Sequence, residues 1–269
     1  MTFAQLCFFY KWRGKKRNMY ISFSCNLSSN GAIVIAREQS EGRGRGNNQW
    51  TSPLGCAMFN VYFDINLQSL LGQRLSLLQL LASVAVVQAI ERTSDYKVLN
   101  AQIKWPNDIF IGNDFAKLGG ILATSSICDN YASINLGIGV NISNIQPSVC
   151  LNNAIDQQQS TSNLTHFTIE EFIGRTIGFF QKWISQLTQS DSVKATAAIH
   201  DFYQFYESHW MHQNKEVFVD KWQETVIIVG IDDYGFLKVR KSSNGEIVTL
   251  HTDAHSFDVR QSIIREKAM

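Results

Sequence analysis

Between residues 101 and 140 the chain alternates short apolar runs with residues that form tight turns. The apolar runs cover residues 101–105, 109–111, 119–124 and 133–140. Pro106-Asn107-Asp108 follows the first run, and Gly112-Asn113-Asp114 follows the second. Because Asn, Asp and Gly favour tight turns between extended segments, this pattern predicts a sheet of short strands joined by turns.

Further strands and a helix precede this region. The β-branched run at 32–36 (AIVIA) and the run at 56–67 predict two more strands. Residues 72–92 predict a buried helix that is rich in Leu, Ala and Val. Polar residues interrupt it, so no segment reaches the roughly 20 apolar residues that a membrane span requires. The polar, Gln-rich stretch at 148–163 predicts a surface loop.

The last part of the chain changes from helical to strand character. Amphipathic spacing predicts one helix from Thr168 or Glu170 to about Gln189, and a second helix covers 193–207. From Glu216 onward five short strands follow, namely VFVD, ETVIIVGI, GFLKVR, EIVTLHT and FDVRQ. Their close spacing predicts a small antiparallel barrel, with a domain boundary near 210–215.

Charge and cysteine usage exclude several classes of protein. The chain has 24 Lys and Arg against 23 Asp and Glu, for a net charge of +1, which disfavours a protein that coats nucleic acid. Its five cysteines are irregularly spaced and form no CxxC pair. This spacing disfavours a disulfide framework or a structural zinc site and favours a reducing compartment, by default the cytoplasm.

The first 37 residues contain no acidic residue, and basic residues cluster at 11–17. An apolar stretch at 3–10 precedes the charges, which is the reverse of the order in a secretory signal. We interpret the segment as a solvated basic tail, and a mitochondrial presequence is the alternative.

Glycine and arginine alternate at Gly42–Gly46, within a segment at 37–50 that we predict to be a mobile basic loop. Glycines let backbone N–H groups converge on an anion, and arginines supply bidentate donors. The pattern predicts a site for phosphate or pyrophosphate. The alternatives are a plain flexible loop and a nucleic-acid-binding segment.

Three polar positions lie at strand ends. Asp108 suits Mg²⁺ held together with substrate phosphates, and the alternative is a residue that caps its own turn. Lys117 precedes Gly119-Gly120, which would admit a ligand close to the backbone; the alternative is a strand-end lysine that extends into solvent. Asn141 ends the glycine-containing strand 135–141 and would bond a base edge, unless it only completes a turn.

Four blocks in a fixed order resemble the biotin–protein ligase family. They are REQSEGRGRGNNQW, KWPNDIF, KLGGIL and LGIGVNIS. The stretches SPLGCA, LGQR, SVAVVQAI, VGIDDYGFLKV and SFDV are similar to its eukaryotic branch, the holocarboxylase synthetases. The resemblance covers Gly31 to the C-terminus, and it is specific because several independent blocks agree.

The resemblance implies an α+β fold. A class II synthetase-like mixed sheet with flanking helices would be followed by a small SH3-like β-barrel. The implied division is an atypical N-terminal segment at 1–30, a biotin- and ATP-binding catalytic domain at 31–211 and the barrel at 212–269.

The resemblance also implies an activity. Members of the family activate biotin with ATP, forming biotinyl-5′-AMP and pyrophosphate, and transfer biotin to a lysine of biotin carboxyl carrier domains in biotin-dependent carboxylases. The expected substrates are therefore biotin and ATP, with Mg²⁺. The resemblance leaves open whether the chain forms a homodimer. Neither a membrane nor a nucleic acid is expected as a partner.

The resemblance carries roles to individual residues. Biotin contacts are assigned to Gln39, Arg43, Gly44, Arg45, Lys117, Gly119, Gly120, Gly137 and Gly139. Contacts to ATP and the adenylate are assigned to Arg43, Arg45, Trp50, Lys104, Asn107, Lys117 and Asn141. The catalytic assignments are Lys117, Arg45 and Asp108. Asp108 is also the Mg²⁺ ligand and the candidate acceptor of the attacking lysine's proton.

Two departures from the family pattern keep other functions open. Asn47 stands where the family loop usually has glycine, and residues 1–30 contain no convincing copy of the Ser/Thr-Asn segment that binds the biotin ureido oxygen. The alternatives are a lipoate–protein ligase, which shares the fold, and a catalytically impaired homologue. A nucleic-acid-binding module is a third.

Overall fold

The computed structural model describes residues 7–10, 31–45, 48–114, 116–145, 149–158, 163–251, 255–258 and 261–266. The basic cluster at 11–17 and the loop residues Gly46 and Asn47 lie outside the described residues. The interpretation of the basic cluster therefore stays a prediction. Residues 7–10, which were interpreted as part of a solvated tail, instead form a strand that pairs in parallel with Ala32–Ala36.

The first part of the chain forms a seven-stranded mixed sheet and a separate hairpin. The strands are β1 (Cys7–Tyr10), β2 (Ala32–Ala36), β3 (Gln39–Arg43), β4 (Gln49–Ser52), β5 (Cys56–Asn66), β6 (Gln102–Lys104), β7 (Asp108–Ile111), β8 (Ala116–Cys128) and β9 (Tyr131–Asn141). The sheet order is β1-β2-β5-β9-β8-β7-β6. Among the described pairs of this sheet, only β1–β2 is parallel. The hairpin consists of β3 paired with β4. The predicted mixed sheet is confirmed.

One prediction fails in this part of the chain. Residues 37–50 were expected to form a loop, but β3 and β4 form a hairpin there. Glycine at position 42 makes this hairpin possible. A register shift lies between Gln39 and Gly42. Gly42 approaches the Trp50 carbonyl so closely that a side chain at this position would not fit.

The described residues also form four α-helices and three 3₁₀ segments. The helices are α1 (Leu78–Ile90), α2 (Leu151–Asp156), α3 (Ile169–Thr188) and α4 (Ser192–His209), and the 3₁₀ segments are Gly72–Leu77, Ser94–Leu99 and Asp220–Trp222. The helix α2 lies inside the stretch predicted to be a surface loop. That prediction was wrong because Leu151 and Ile155 are buried in the core, so tertiary packing stabilises a helix in a polar sequence.

The helices begin at residues that cap them. Thr168 accepts a hydrogen bond from the Glu171 N–H at the start of α3, and Asp191 accepts from the Val193 and Lys194 N–H groups at the start of α4. One segment, Gly72–Ile90, is long and apolar enough to cross a membrane by length and composition. Most of it is buried inside the protein, as is usual for a core helix.

The two faces of the large sheet have different environments. On one face Phe63 packs edge-on against Phe180 of α3, with ring centroids 5.6 Å apart. Leu136 and Ile138 of β9 are buried on the same side. Alternate residues such as Asn60 and Gly137 lie on the opposite face and are only partly buried. This second face carries the candidate site.

The C-terminal part forms a second sheet of six strands. They are β10 (Glu216–Val219), β11 (Glu224–Ile231), β12 (Leu237–Lys241), β13 (Ile247–Leu250), β14 (His255–Asp258) and β15 (Ile263–Glu266), in the order β13-β12-β11-β10-β15-β14. The sequence predicted five antiparallel strands. It missed β15, which lies in a short segment next to the chain end, and β10 pairs with β15 in parallel.

Candidate active site

A row of five residues crosses five strands on the open face of the large sheet. In register, Met58 of β5 lies beside Gly139 of β9, Gly139 beside Gly120 of β8, Gly120 beside Asp108 of β7, and Asp108 beside Lys104 of β6. Because neighbouring strands lie about 4.8 Å apart, the row extends roughly 19 Å. Two glycines at its centre leave a shallow trough with charged residues at one end.

A second row runs parallel to the first. It contains Asn60 of β5, Gly137 of β9 and Leu122 of β8. A Cβ added at Gly137 would have the Asn60 Nδ2 atom and the Leu122 carbonyl oxygen as its nearest neighbours, both at 3.7 Å. The trough is therefore two residues wide, with a neutral amide on its β5 side.

A β-bulge brings Lys117 to this face. The register between β7 and β8 shifts, so that Ile109 pairs with Gly119 but Phe110 pairs with Lys117. The extra residue, Leu118, is fully buried in the core. A bulge changes the direction of the side chains that follow it, and here it places Lys117 and Gly120 on one side.

The charged end of the row is a carboxylate between two ammonium groups. The Lys117 Nζ atom lies 2.8 Å from Asp108 Oδ1, and the Lys104 Nζ atom lies 3.4 Å from Asp108 Oδ2. Asp108 and Lys104 are mostly buried, whereas the Lys117 side chain is 42% exposed. The three residues carry a net positive charge, so this end of the trough favours an anion.

Asn107 connects the turn before β7 to two other parts of the site. Its Nδ2 atom donates to the Ile121 carbonyl at 2.6 Å, and its own carbonyl accepts from the Ile121 N–H at 2.9 Å. Its Oδ1 atom accepts from Arg45 Nη1 at 3.4 Å. The glycine–arginine segment thus contacts the Pro106-Asn107-Asp108 turn.

The β3–β4 hairpin forms one wall of the site. Arg43 pairs with Gln49, and the Gly44 N–H donates to the Asn48 carbonyl at 2.8 Å. Gln39 packs on Gly42, where an added Cβ would lie 2.6 Å from Gln39 Oε1. The predicted residues Gln39, Arg43, Gly44 and Arg45 therefore share one hairpin.

Trp50 of β4 lies over the trough. Its indole Nε1 donates to Ser52 Oγ at 2.8 Å, and the Lys117 ammonium lies 5.5 Å from its ring centroid. An added Cβ on Gly139 would be 2.8 Å from the Trp50 Nε1 atom. The indole therefore covers Gly139 and faces Lys117, which gives the trough an aromatic cover.

Asn141 and Gly119 lie at the margins of the site. Asn141 is buried, and its Oδ1 atom accepts from the Cys56 thiol at 3.2 Å while its Nδ2 donates to the Val149 carbonyl at 3.3 Å. Burial and the neighbouring Cys150 raise the pKa of Cys56 to about 11, so the thiol stays protonated and donates. Gly119 is outside the trough, because an added Cβ would meet the Gly139 carbonyl at 2.7 Å.

The acidic residues of the site do not form a metal cage. Asp108 is the only carboxylate in the row, and the described part of the chain contains no group of three or more His, Cys, Asp or Glu that could hold a metal ion. A divalent cation at this position would need most of its ligands from a substrate or from water.

The structure also places Asn60 on the trough, although sequence reasoning did not single this residue out. The run at 56–67 alternates, and Asn60 is a polar residue among Met58, Tyr62 and Asp64 on one strand face. That alternation indicated an open face. It could not indicate that Gly137 lies beside Asn60, because this depends on the register with β9.

Comparison with known proteins agrees with this architecture. The model of the Biotin/lipoate A/B protein ligase family matches residues 13–141. Human biotin–protein ligase is 37% identical over 240 residues, covering 88% of this chain and 32% of the relative. Arabidopsis thaliana biotin–protein ligase 2 is 31% identical over 248 residues, covering 88% of this chain and 70% of the relative.

The fold has a counterpart among solved structures. The biotin protein ligase from Aquifex aeolicus, solved in complex with biotin and ATP, has a TM-score of 0.55 and 18% identity, covering 84% of this chain and 91% of that one. The chain belongs to the biotin–protein ligase family. It spans about a third of the length of its human relative and 70% of the length of the Arabidopsis one.

Proposed function

We propose that this chain is an ATP-dependent, AMP-forming biotin–protein ligase. The observation that carries the proposal is the arrangement of the trough: a neutral, glycine-floored groove that ends at Asp108 between Lys104 and Lys117, with Arg45 bound to Asn107 beside them. Such a groove suits a ligand with an uncharged body and a terminal carboxylate. Biotin has this chemistry.

In the first proposed step, a biotin carboxylate oxygen attacks the α-phosphorus of ATP. A new P–O bond forms, and the bond to the β-phosphate oxygen breaks, releasing pyrophosphate. Two anions must approach each other, so cationic groups have to offset their repulsion. Lys117, Lys104 and Arg45 are the cations that we assign to this role, with Asn107 orienting Arg45.

The neutral part of the trough would hold the body of biotin. Gly120 and Gly137 let a ligand lie close to the strands, whereas Gly139 lies under the Trp50 indole and Gly119 packs against Gly139 and Val140. Asn60 would supply a hydrogen bond to the polar ring head. The row from Asp108 to Met58 provides the length needed to separate this head from the reacting carboxylate.

The hairpin would retain the adenylate. Trp50 covers the trough, and Gln39, Arg43 and Gly44 lie on the same hairpin as Arg45. A covered site excludes water from the mixed anhydride of biotin and AMP. Asn141, whose amide is fixed by Cys56 and Val149, is our candidate for contact with the adenine.

In the second proposed step, a lysine amine of an acceptor protein attacks the biotinyl carbonyl carbon. The amide C–N bond forms, and the bond to the AMP phosphate oxygen breaks. The attacking amine has to lose a proton. Asp108, the only carboxylate in the row, is the acceptor that we assign.

Mg²⁺ enters the proposal together with ATP. Asp108 fits a metal that retains several waters and binds mainly through substrate phosphates, because such a metal needs only one or two protein carboxylates. When bound, the ion would offset phosphate charge. Lys104 and Lys117 would remain the protein's own contribution to the same balance.

We propose biotin carboxyl carrier domains of biotin-dependent carboxylases as the acceptors. The pairing of β7 with β8 ends at Gly120. Among the described strands, none pairs with residues 122–128 of β8 on the edge opposite β9. This edge adjoins the charged end of the trough and offers backbone groups to an approaching strand. A homodimer, the other partner that we consider, would place a second copy of the chain at the same edge.

We further propose that residues 31–211 form the catalytic domain and 212–269 a small SH3-like barrel. Two separate sheets support this division. The buried thiols of Cys56 and Cys150 are not in a disulfide, which supports a reducing compartment and hence the cytoplasm, with mitochondrial targeting as the alternative.

The decisive experiment mixes the purified chain with biotin, ATP, Mg²⁺ and a carrier domain. We expect the mass of one biotinyl group on a single carrier lysine, and biotin-dependent ATP–pyrophosphate exchange without the carrier. A carrier in which that lysine is arginine is the control. Modification by lipoate in place of biotin would favour the lipoate ligase, and the absence of exchange would favour an impaired homologue.

A further inference from the structure

We infer that His212 is a positioning residue that fixes the Pro106-Asn107-Asp108 turn from its buried side and thereby couples the C-terminal sheet to the charged end of the trough. The inference concerns how this site is held together. Its kinetic test rests on the proposed function.

Three hydrogen bonds tie the C-terminal part of the chain to the segment before the turn. The Met211 N–H donates to the Ile103 carbonyl at 3.1 Å. The Trp105 N–H donates to His212 Nε2 at 2.9 Å, and the Trp105 indole N–H donates to the Gly235 carbonyl at 2.9 Å. Both N–H groups of Trp105 are thus satisfied by the C-terminal part.

The burial of these partners makes the bonds structurally important. Trp105 and His212 are both fully buried. The His212 ring also packs against Phe257 of β14, with centroids 4.8 Å apart, and edge-on against Trp210. Loss of the acceptor of a buried backbone N–H is strongly destabilising, because the N–H group then has no hydrogen-bond partner.

The hydrogen-bond direction fixes the chemical state of His212. A backbone N–H can only donate, so Nε2 must carry a lone pair, and in the neutral ring the proton is on Nδ1. Burial lowers the pKa of His212 to about 3, with Lys215 and Lys104 adding to the effect. The ring is therefore a neutral acceptor at physiological pH.

The same arrangement has a cost that needs an explanation. The Nδ1 atom of His212 is buried and has no partner among the described residues. An apolar side chain would fill the space between Phe257 and Trp210 without that penalty. The imidazole is explained if its function is to accept the Trp105 N–H.

The position of Trp105 connects this bond to the site. Pro106 has no N–H, so the Trp105 N–H is the last backbone donor before Asn107 and Asp108. On the trough side, Asn107 is held by Ile121. The turn is therefore fixed from two sides. Loss of the His212 bond would displace Asp108 and Lys104 relative to Lys117, and so affect the phosphate end more than the neutral end.

Three variants test this. His212→Leu removes the acceptor, His212→Gln restores one through its amide oxygen, and Val239→Ala is a control that removes buried volume from the C-terminal sheet. In the exchange assay we expect His212→Leu to raise the KM for ATP at least about tenfold, which is the effect expected for a buried N–H without a partner. The KM for biotin should stay within about twofold of its value in the unmodified chain. His212→Gln should recover most of the loss.

A second readout does not depend on activity. Amide hydrogen exchange at residues 105–108 should accelerate at least about tenfold in His212→Leu but not in Val239→Ala. Equal effects of His212→Leu on both substrates, or unchanged exchange at 105–108, would overturn the inference. If the unmodified chain shows no ATP–pyrophosphate exchange, the proposed function fails, and amide exchange alone decides on His212.

Discussion

The indole of Trp50 lies directly on the backbone of Gly139, so closely that a Cβ there would be 2.8 Å from the Trp50 Nε1 atom. This contact joins the β3–β4 hairpin to the centre of the trough. The hairpin can cover the trough only while residue 139 has no side chain.

Gly139→Ala should therefore lower activity by displacing the indole. We expect biotin-dependent ATP–pyrophosphate exchange to fall at least about tenfold, while thermal stability changes little because a side chain, and not backbone, has to move. A double-mutant cycle with Trp50→Ala checks the cause. In the Trp50→Ala background the glycine substitution should have little further effect, and additive losses would contradict the displacement of Trp50.

The elements of this fold that local sequence determines were predictable. The turns at 106–108 and 112–114 and the end of β9 at Asn141 follow from turn-forming residues within a few positions. The strands β2 and β5 and the helix at 72–90 follow from apolar runs in the same way. Short-range patterns are enough to predict these features, although the buried helix owes its stability to packing against the rest of the fold.

The composition of the site depended on contacts that local patterns do not encode. The row from Met58 to Lys104 requires the register of five strands, and Lys117 reaches it only because Leu118 forms a bulge. The resemblance assigned Arg45, Asp108 and Lys117 to one site, and in the structure Lys117 pairs with Asp108 while Arg45 contacts the neighbouring Asn107. Local patterns did not single out Asn60 or His212, because the contacts of each are with residues distant in sequence.

Lys117→Ala should abolish adenylate formation. Its ammonium is one of the two that flank Asp108, and loss of one preorganised charge typically lowers kcat by about a hundredfold or more. ATP–pyrophosphate exchange with biotin measures the effect. Lys194→Ala, at an exposed lysine on α4, is the matched control. Near-normal exchange in Lys117→Ala would show that this lysine is not part of the catalytic machinery.

Arg45→Gly should weaken retention of the adenylate. The substitution removes the contact between the hairpin and Asn107, so the reactive intermediate would escape before transfer. We expect biotinylation of bystander lysines on an added unrelated protein to rise at least about tenfold, the equivalent of one lost charge-assisted hydrogen bond. Peptide mass spectrometry measures it, and Arg240→Gly, at an exposed arginine on β12, is the control. Unchanged acceptor specificity would count against a retaining role.

Stability should fall as the pH rises above neutrality because of the pair His209–Glu91, whose Nε2 and Oε2 atoms are 3.2 Å apart. Burial alone would lower the pKa of His209, but the Glu91 carboxylate and the Phe205 carbonyl raise it above 6.5. A raised pKa means that folding takes up a proton. The contribution is complete below about pH 6.5 and is lost as the pH rises through the higher folded-state pKa.

Urea unfolding at pH 6 and pH 8.5 measures this contribution. Between pH 6 and pH 8.5, the free energy of unfolding should decrease more in the unmodified chain than in His209→Gln. Glu91→Gln should show the same smaller decrease as His209→Gln. His200→Gln, at an exposed histidine on α4, is the control and should keep it. An unchanged difference in both His209→Gln and Glu91→Gln would mean that other groups determine the pH dependence.

Asn60→Leu should weaken binding of biotin selectively. The Asn60 amide is the neutral polar group on the β5 side of the trough, beside Gly137 and two strands from the β8 backbone that carries Lys117. Loss of one hydrogen bond to the ring head should raise the KM for biotin about five- to tenfold and leave the KM for ATP within about twofold. Asn153→Leu, at an exposed position on α2, is the matched control. A similar rise in both KM values would indicate that Asn60 stabilises the fold instead, because a contact at the neutral end of the trough should not affect nucleotide binding.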